Sequence, residues 1–141
     1  PVAKFILTDG YVEINGVDLS SYAHNLDTPQ EKDRVDVSGF NSAGTQEFLP
    51  GRKTESATIV FRQDFASAKP HQTLEPLFRN NTTFGFSIRP TSGAVSATNP
   101  RFWGTASLFQ YNGLNGEISN VSEVTAVLLP ATSTGFVWAT S

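Results

Sequence analysis

No cysteine occurs in the 141 residues, so a disulfide framework, a thiol nucleophile and a thiolate zinc site are excluded together. Charge is scarce as well. Asp, Glu, Lys and Arg make up 16% of the chain, and ten basic against thirteen acidic residues leave a net charge of −3. That balance lacks the basic excess of a phosphate-backbone binder and argues against a DNA-coating role. The two histidines, His24 and His71, lie far apart and outside any two-histidine helical motif, which argues against metal catalysis. No run of about 18 apolar residues is present. Pro1-Val2-Ala3-Lys4 also lacks the basic-then-apolar order of a secretory signal. The expectation is a soluble protein made in the cytoplasm, without membrane contact.

What is present suffices for a core, since 38% of the residues are hydrophobic and 11% aromatic. A chain of this length buries roughly 68–70% of the surface that its unfolded form exposes, and residues 1–141 are expected to form a single domain. Asp9-Gly10 and Asn15-Gly16 place glycine where a tight hairpin needs positive φ, which predicts short strands around Tyr11–Ile14 and Val17–Leu19. In Arg34-Val35-Asp36-Val37-Ser38 the valines alternate with polar residues, predicting a strand with one side toward water or a partner.

Residues 39–53 hold three glycines and a proline around Phe40, Phe48 and Leu49, and show no period. They are expected to form a long loop. Loops beyond about 12–15 residues are uncommon in compact domains unless functional or disordered, and apolar content argues against disorder. The loop either presents a partner surface or folds back onto its own core.

Ala57, Ile59 and Phe61 alternate with Thr58, Val60 and Arg62, the pattern of a central strand. The period then changes. Leu74, Leu77 and Phe78 stand at helical spacing, with Pro70 suited to a first turn and Asn80-Asn81 to a stop, predicting a helix over about 70–79. Phe84, Phe86 and Ile88 mark another strand. From Arg101 to Tyr111, Phe102, Gly104, Ala106 and Leu108 fall on one face and Trp103, Thr105, Ser107, Phe109 and Tyr111 on the other. Val121–Leu129 and Gly135–Thr140 complete a mainly β chain of antiparallel strands with one helix. Residues 102–141 contain only two charged side chains, Glu117 and Glu123, although a half-buried sheet in a monomer keeps a charged outer face. Its second face is expected to be covered, by the subunit itself or by neighbouring copies.

Catalytic patterns are thin. No G-x-S-x-G elbow, P-loop or G-x-G-x-x-G string occurs. Asp33 with Asp36, or Glu13 with Asp18, could pair as in a glycosidase, but such spacings arise by chance in any acidic chain. His71 precedes Glu75 by four residues and His24 lies near Asp27, arrangements of the kind that surface pairs make. Asn80-Asn81-Thr82-Thr83 and Asn120-Val121-Ser122 match the glycosylation acceptor, which carries no weight without a secretory signal. Arg101-Phe102-Trp103 is too little for base stacking, and Trp103 is better explained as an anchor between subunits or sheets. The chain is expected to need no cofactor.

Several segments in order resemble the major tail proteins of phages with long, non-contractile tails (siphophages), above all those infecting actinobacteria. They are Asn15-Gly16-Val17-Asp18-Leu19-Ser20, Val35-Asp36-Val37-Ser38, Glu47-Phe48-Leu49-Pro50-Gly51-Arg52-Lys53, and Ala57-Thr58-Ile59-Val60-Phe61 with Gln63-Asp64-Phe65. Leu74-Glu75-Pro76-Leu77 and Ile88-Arg89-Pro90-Thr91-Ser92 through Ala97-Thr98-Asn99-Pro100 extend the likeness over nearly the whole chain. The resemblance implies two packed antiparallel sheets, sandwich- or barrel-like, flanked by one α-helix and carrying a long inter-strand loop. It implies six copies closing into a ring, rings stacking into a hollow tube, and no catalysis. Phe40, Phe48, Leu49 and Arg52 would then serve ring-to-ring contacts, and Trp103 a subunit interface. The partners would be the chain itself together with tape measure, tail terminator and tail tip proteins, with DNA passing the lumen without specific binding. Pro1 would follow from removal of an initiator methionine in a host cytoplasm. The competing expectation is a carbohydrate-binding β-sandwich that stacks sugar rings on Trp103, Phe109 and Tyr111. A glycoside hydrolase fragment is a remote third.

Overall fold

The period-2 patterns of β-branched and aromatic residues become strands whose alternate side chains enter one core. The computed structural model describes residues 10–40, 43–116 and 118–141; the Asp9-Gly10 turn therefore lies in part outside the described residues. The elements are β1 (Tyr11–Ile14), β2 (Val17–Asp18), β3 (Ala23–Asp27), β4 (Gln30–Asp36), β5 (Phe48–Glu55), β6 (Ala57–Arg62), α1 (Pro70–Arg79), β7 (Phe84–Arg89), β8 (Arg101–Asn112), β9 (Glu123–Pro130) and β10 (Val137–Ala139). The chain is mainly β, with two antiparallel sheets and one helix. Eight strands form the larger sheet in the order β2-β1-β7-β8-β9-β6-β3, with β10 also on β8, and β4-β5 form the smaller.

β8 is the spine. One of its edges carries β7, and the other is shared end to end by β10, opposite 101–103, and β9, opposite 106–112. The core comes from alternate positions: Val12 and Ile14, Ala57, Ile59 and Phe61, Phe84, Phe86 and Ile88, Phe102, Ala106 and Leu108, and Val124, Ala126 and Leu128. At about 25 cal/mol per Å² of apolar surface buried, these side chains supply most of what opposes chain entropy. Asn15 and Gly16 both adopt left-handed φ, 52° and 81°, and close the β1–β2 hairpin in the manner of a type I′ turn.

The helix begins at Pro70, whose missing N–H costs nothing in the first turn. It buries Leu74 and Leu77, while Phe78 stays exposed beside Tyr111. Asn81 is left-handed, and the Thr82 N–H reaches back to the Leu77 carbonyl, so Asn80-Asn81 ends the helix by a Schellman-type closure. In the loop after β7, buried Asn99 donates to the carbonyls of Gly93 and Ala94 and accepts from the Thr91 N–H, which holds that polar segment in shape.

Phe86, Phe102 and Phe136 form an edge-on cluster, with Phe136 4.7 Å from Phe86 and 5.5 Å from Phe102, centroid to centroid. Such pairs contribute about 0.5–1.5 kcal/mol beyond their burial. The cluster depends on Gly104, because a Cβ there would stand 2.7 Å from Phe136 Cδ1 and 3.0 Å from the Gly135 carbonyl. Gly104→Ala is expected to destabilise the fold by about 1–3 kcal/mol through overpacking. Urea unfolding checks this, and an unchanged midpoint would contradict the close approach.

Candidate assembly surface

The second sheet is an extension of the first. Asp27 pairs with Thr58 in the body, Gln30 pairs with Glu55 beyond it, and the Ser56 N–H donates to the Pro29 carbonyl between them, so one register runs through the joint. β3–β4 and β5–β6 are thus a single long hairpin whose outer half projects as an arm of roughly 20 Å at about 3.3 Å per residue. Residues 48–53, expected within a loop spanning 39–53, belong to β5. Their strand character was hidden because both faces are exposed: without a buried side there is no alternation to read, and Pro50 and Gly51 resemble loop residues. The connection itself is residues 37–47. All of β4 is exposed, on both faces rather than one, as is β5 up to Thr54.

The arm carries apolar groups on both of its faces. Val35 lies opposite Leu49 on one side, with Leu49 57% exposed. Phe48 lies on the other, with the Arg34 guanidinium 5.6 Å from its ring centre. A bulge sets Asp33 opposite Gly51 and Arg52; Gly51 suits it because a Cβ there would come within 3.0 Å of Val35 Cγ2. Near the tip, the Val37 N–H donates to the Glu47 carbonyl and the Glu47 N–H to Ser38 Oγ. The Ser38 N–H donates to Asp36, and this bond holds the Asp36 carboxyl below its ordinary range. Phe40, beyond these ties, is fully exposed.

Glu55 fixes the root. Its carboxylate is buried, accepting from the Phe136 N–H at 2.8 Å and Gln30 Nε2 at 2.6 Å and pairing with Lys53 Nζ at 3.1 Å. Burial pushes its pKa up, but the Phe136 and Gln30 hydrogen bonds and the Lys53 charge together outweigh burial and hold it below the ordinary value. Gly135, at φ +70°, leaves the space that the carboxylate fills. Trp138 Nε1–H donates to Gln30 Oε1, so β10 is tied to β4, while Phe136 just before it is tied to β5 through Glu55.

Of the residues expected at interfaces, Phe48, Leu49 and Arg52 lie together on β5, and Phe40 stands in the loop at the arm's end. Trp103 belongs to the body, 38% exposed, with the Arg101 guanidinium 4.8 Å from its ring centre. Sequence reasoning did not single out Val35 and Val37 as surface groups, nor the exposed Leu114, Ile118 and Val121 between β8 and β9.

The aromatic platform of Trp103, Phe109 and Tyr111 does not exist. A bulge between Leu108 and Gln110 reverses the facing of β8, so Tyr111 pairs with buried Ala126 and turns toward α1. There its hydroxyl lies 2.6 Å from His71 Nδ1 and accepts from Gln63 Nε2, and burial raises its pKa. Phe109 stays exposed in the bulge. The histidine neighbours also differ from expectation: His24 pairs with Glu123 and His71 with Tyr111, while Glu75 pairs with Arg79. Glu13 does lie opposite Asp18, but each is engaged, Glu13 by the Tyr11 hydroxyl and Asp18 by the Ser20 N–H. Among the described residues, no group of three or more His, Asp or Glu could hold a metal ion.

No family model matches the chain, and no curated protein matches it in sequence. Solved structures do. One matching chain is in the virion of a native gene transfer agent particle, with a TM-score of 0.72 at 12% identity, covering 93% of this chain and 95% of that one. Another is in the tail of an empty gene transfer agent particle with C6 symmetry, with a TM-score of 0.66 at 11% identity, covering 85% and 82%. A third is in the SPP1 tail tube, with a TM-score of 0.70 at 12% identity, covering 94% and 77%. The fold is the tail tube fold. Among the described residues, the arm rooted at Glu55 is the most exposed element of the fold.

Because the Glu55 pKa is lowered on folding, its contribution is present above the ordinary carboxylate range and is lost as pH falls through the folded value. Wild-type stability should therefore drop below about pH 4, and more steeply than that of Glu55→Gln. Glu55→Ala should cost about 2–4 kcal/mol at neutral pH by orphaning the Phe136 N–H and Lys53. Urea midpoints against pH check both, and parallel pH curves would contradict the clamp.

Proposed function

We propose that the chain is the subunit of a phage tail tube. Six copies form a ring and rings stack into the hollow tail, through which DNA passes from capsid to host. The tail is of the long, non-contractile kind, and the likeness of the sequence to siphophages of actinobacteria supports that assignment. The observation that carries the proposal is the arm. It is held by the β4–β5 ladder and, at its root, by a buried carboxylate, yet it exposes Val35, Val37, Phe40, Phe48 and Leu49. A lone subunit gains nothing from such a projection, whereas a neighbour that covers both of its faces gains an interface core.

The shared fold with chains from gene transfer agent and SPP1 tails supports the same reading, and the C6 symmetry of one of those tails supports a ring of six. Stacking joins one surface of a subunit to a different surface of the next, a heterologous contact that continues along an axis. Phe40, Phe48, Leu49 and Arg52 serve the contact between rings and Trp103 the contact within them. The low charge and net −3 suit a lumen that conducts phosphates without gripping them. Tape measure, terminator and tip proteins complete the virion tail, and the subunit acts without catalysis.

Negative-stain microscopy of the purified chain tests this, with stacked rings or tubes as the expected image. A monodisperse monomer at high concentration would overturn the reading. Phe48→Asp changes an exposed position, so its unfolding midpoint should stay within about 0.5 kcal/mol of wild type while tubes are lost. Tubes of normal length and yield from the variant would remove Phe48 from the contact.

A further inference from the structure

The body holds an apolar pocket of about 200 Å³ at the foot of the arm, lined by Leu26, Thr28, Ile88, Pro90, Phe102 and Trp138, with Arg89 beside them. An enclosed apolar cavity of about 150 Å³ holds benzene, so this pocket, open on one side, has the volume for one phenyl ring entering from outside. The chain itself presents such a ring, fully exposed, at the other end of the arm: Phe40. We infer that Phe40 of one copy inserts into this pocket on a copy in the adjacent ring, so that arms follow one another tip to root along the tube. This rests on the tube reading and names the surface that receives the arm.

Charge agrees with the match. Between 36 and 51 the charged side chains are Asp36 and Glu47, and both are exposed. At the pocket the charged residue of the lining is Arg89, whose guanidinium stacks 4.0 Å from the Tyr11 ring centre. The charge at the tip is thus opposite in sign to the charge at the pocket. Knob and hole lie on different parts of one chain, and within a chain the arm keeps them roughly 20 Å apart. The contact is therefore made only between copies, and it propagates without closing on itself. Trp138, one wall of the pocket, also donates to Gln30 at the root of its own arm, so the receiving site is built into the base of the next projection.

Disulfide trapping in the full chain tests this cleanly, because the chain has no cysteine. A side chain at Gly39 would meet nothing within 4 Å, so Gly39→Cys leaves Phe40 in place beside a new thiol. It is combined with Thr28→Cys or, separately, Pro90→Cys at the rim. A disulfide needs Cα atoms within about 7 Å, which excludes a bond inside one chain. Mild oxidation of assembled tubes should give a ladder of covalent oligomers from at least one pair and none from any single variant. Phe40→Ala should raise the concentration needed for assembly by about tenfold or more with unchanged unfolding.

Normal tubes that yield no ladder from either pair would overturn the pocket and leave the tube reading standing. So would a disulfide-linked dimer from Gly39→Cys alone, which would put tip against tip, or assembly of Phe40→Ala at the wild-type concentration. Failure of the wild-type chain to assemble at all would instead sink the tube reading, and the pocket with it.

Discussion

A carboxylate taken out of water costs several kcal/mol unless its hydrogen bonds are replaced, and Glu55 is such a group at the joint between body and arm. The Phe136 N–H, the Gln30 amide and the Lys53 ammonium replace the lost water. Each of these partners also has a structural position: Phe136 ends the core cluster, Gln30 starts β4, and Lys53 lies on β5. Satisfying one buried charge therefore fixes the angle at which two exposed strands leave the sheet. An apolar residue of similar size could stabilise the core as well, but it would not tie three segments in one geometry. The direction of the arm, more than overall stability, is what the burial of Glu55 secures.

The sequence carried the core strands plainly. Ala57, Ile59 and Phe61, then Phe84, Phe86 and Ile88, then Phe102, Ala106 and Leu108 alternate because one face is buried and the other is not. Where that asymmetry fails, so does the pattern. β5 has two exposed faces and no period, and its pairing with β4 follows from a register that begins in the body. Tyr111 changed sides because a bulge inserts one residue into β8, and no local signal marks that insertion. Glu55 did leave a trace: it shares the parity of Ala57, Ile59 and Phe61, which places an acid among core-facing positions. Its partner Phe136 lies 81 residues away, a separation that strand patterns do not bridge. Among the interface candidates, Phe48 and Leu49 were visible as apolar residues without a core period. Val35 and Val37 showed only the alternation of a strand with one side toward water or a partner.

The scarcity of charge toward the end of the chain takes on a physical sense in this fold. Val127 and Leu129 of β9 and Val60 of β6 lie on the sheet face turned away from the core and are only partly covered. The path of the large sheet ends at β2 and β3, whose outer edges can pair with another chain. Half-covered sheet, edges without a partner strand among the described residues, and an exposed apolar arm are liabilities in an isolated molecule that a covering of like copies would resolve together. Low net charge reduces the repulsion that such close association would otherwise meet.

The central claim is that neighbouring copies bury the arm. A helical cryo-microscopy reconstruction of the assembled protein, with side-chain density for residues 30–55, tests it most directly. The account predicts that both faces of β4 and β5 are covered by subunits of the adjoining ring. Rings held together by other surfaces, with the arm left in solvent or hanging in the lumen, would contradict it.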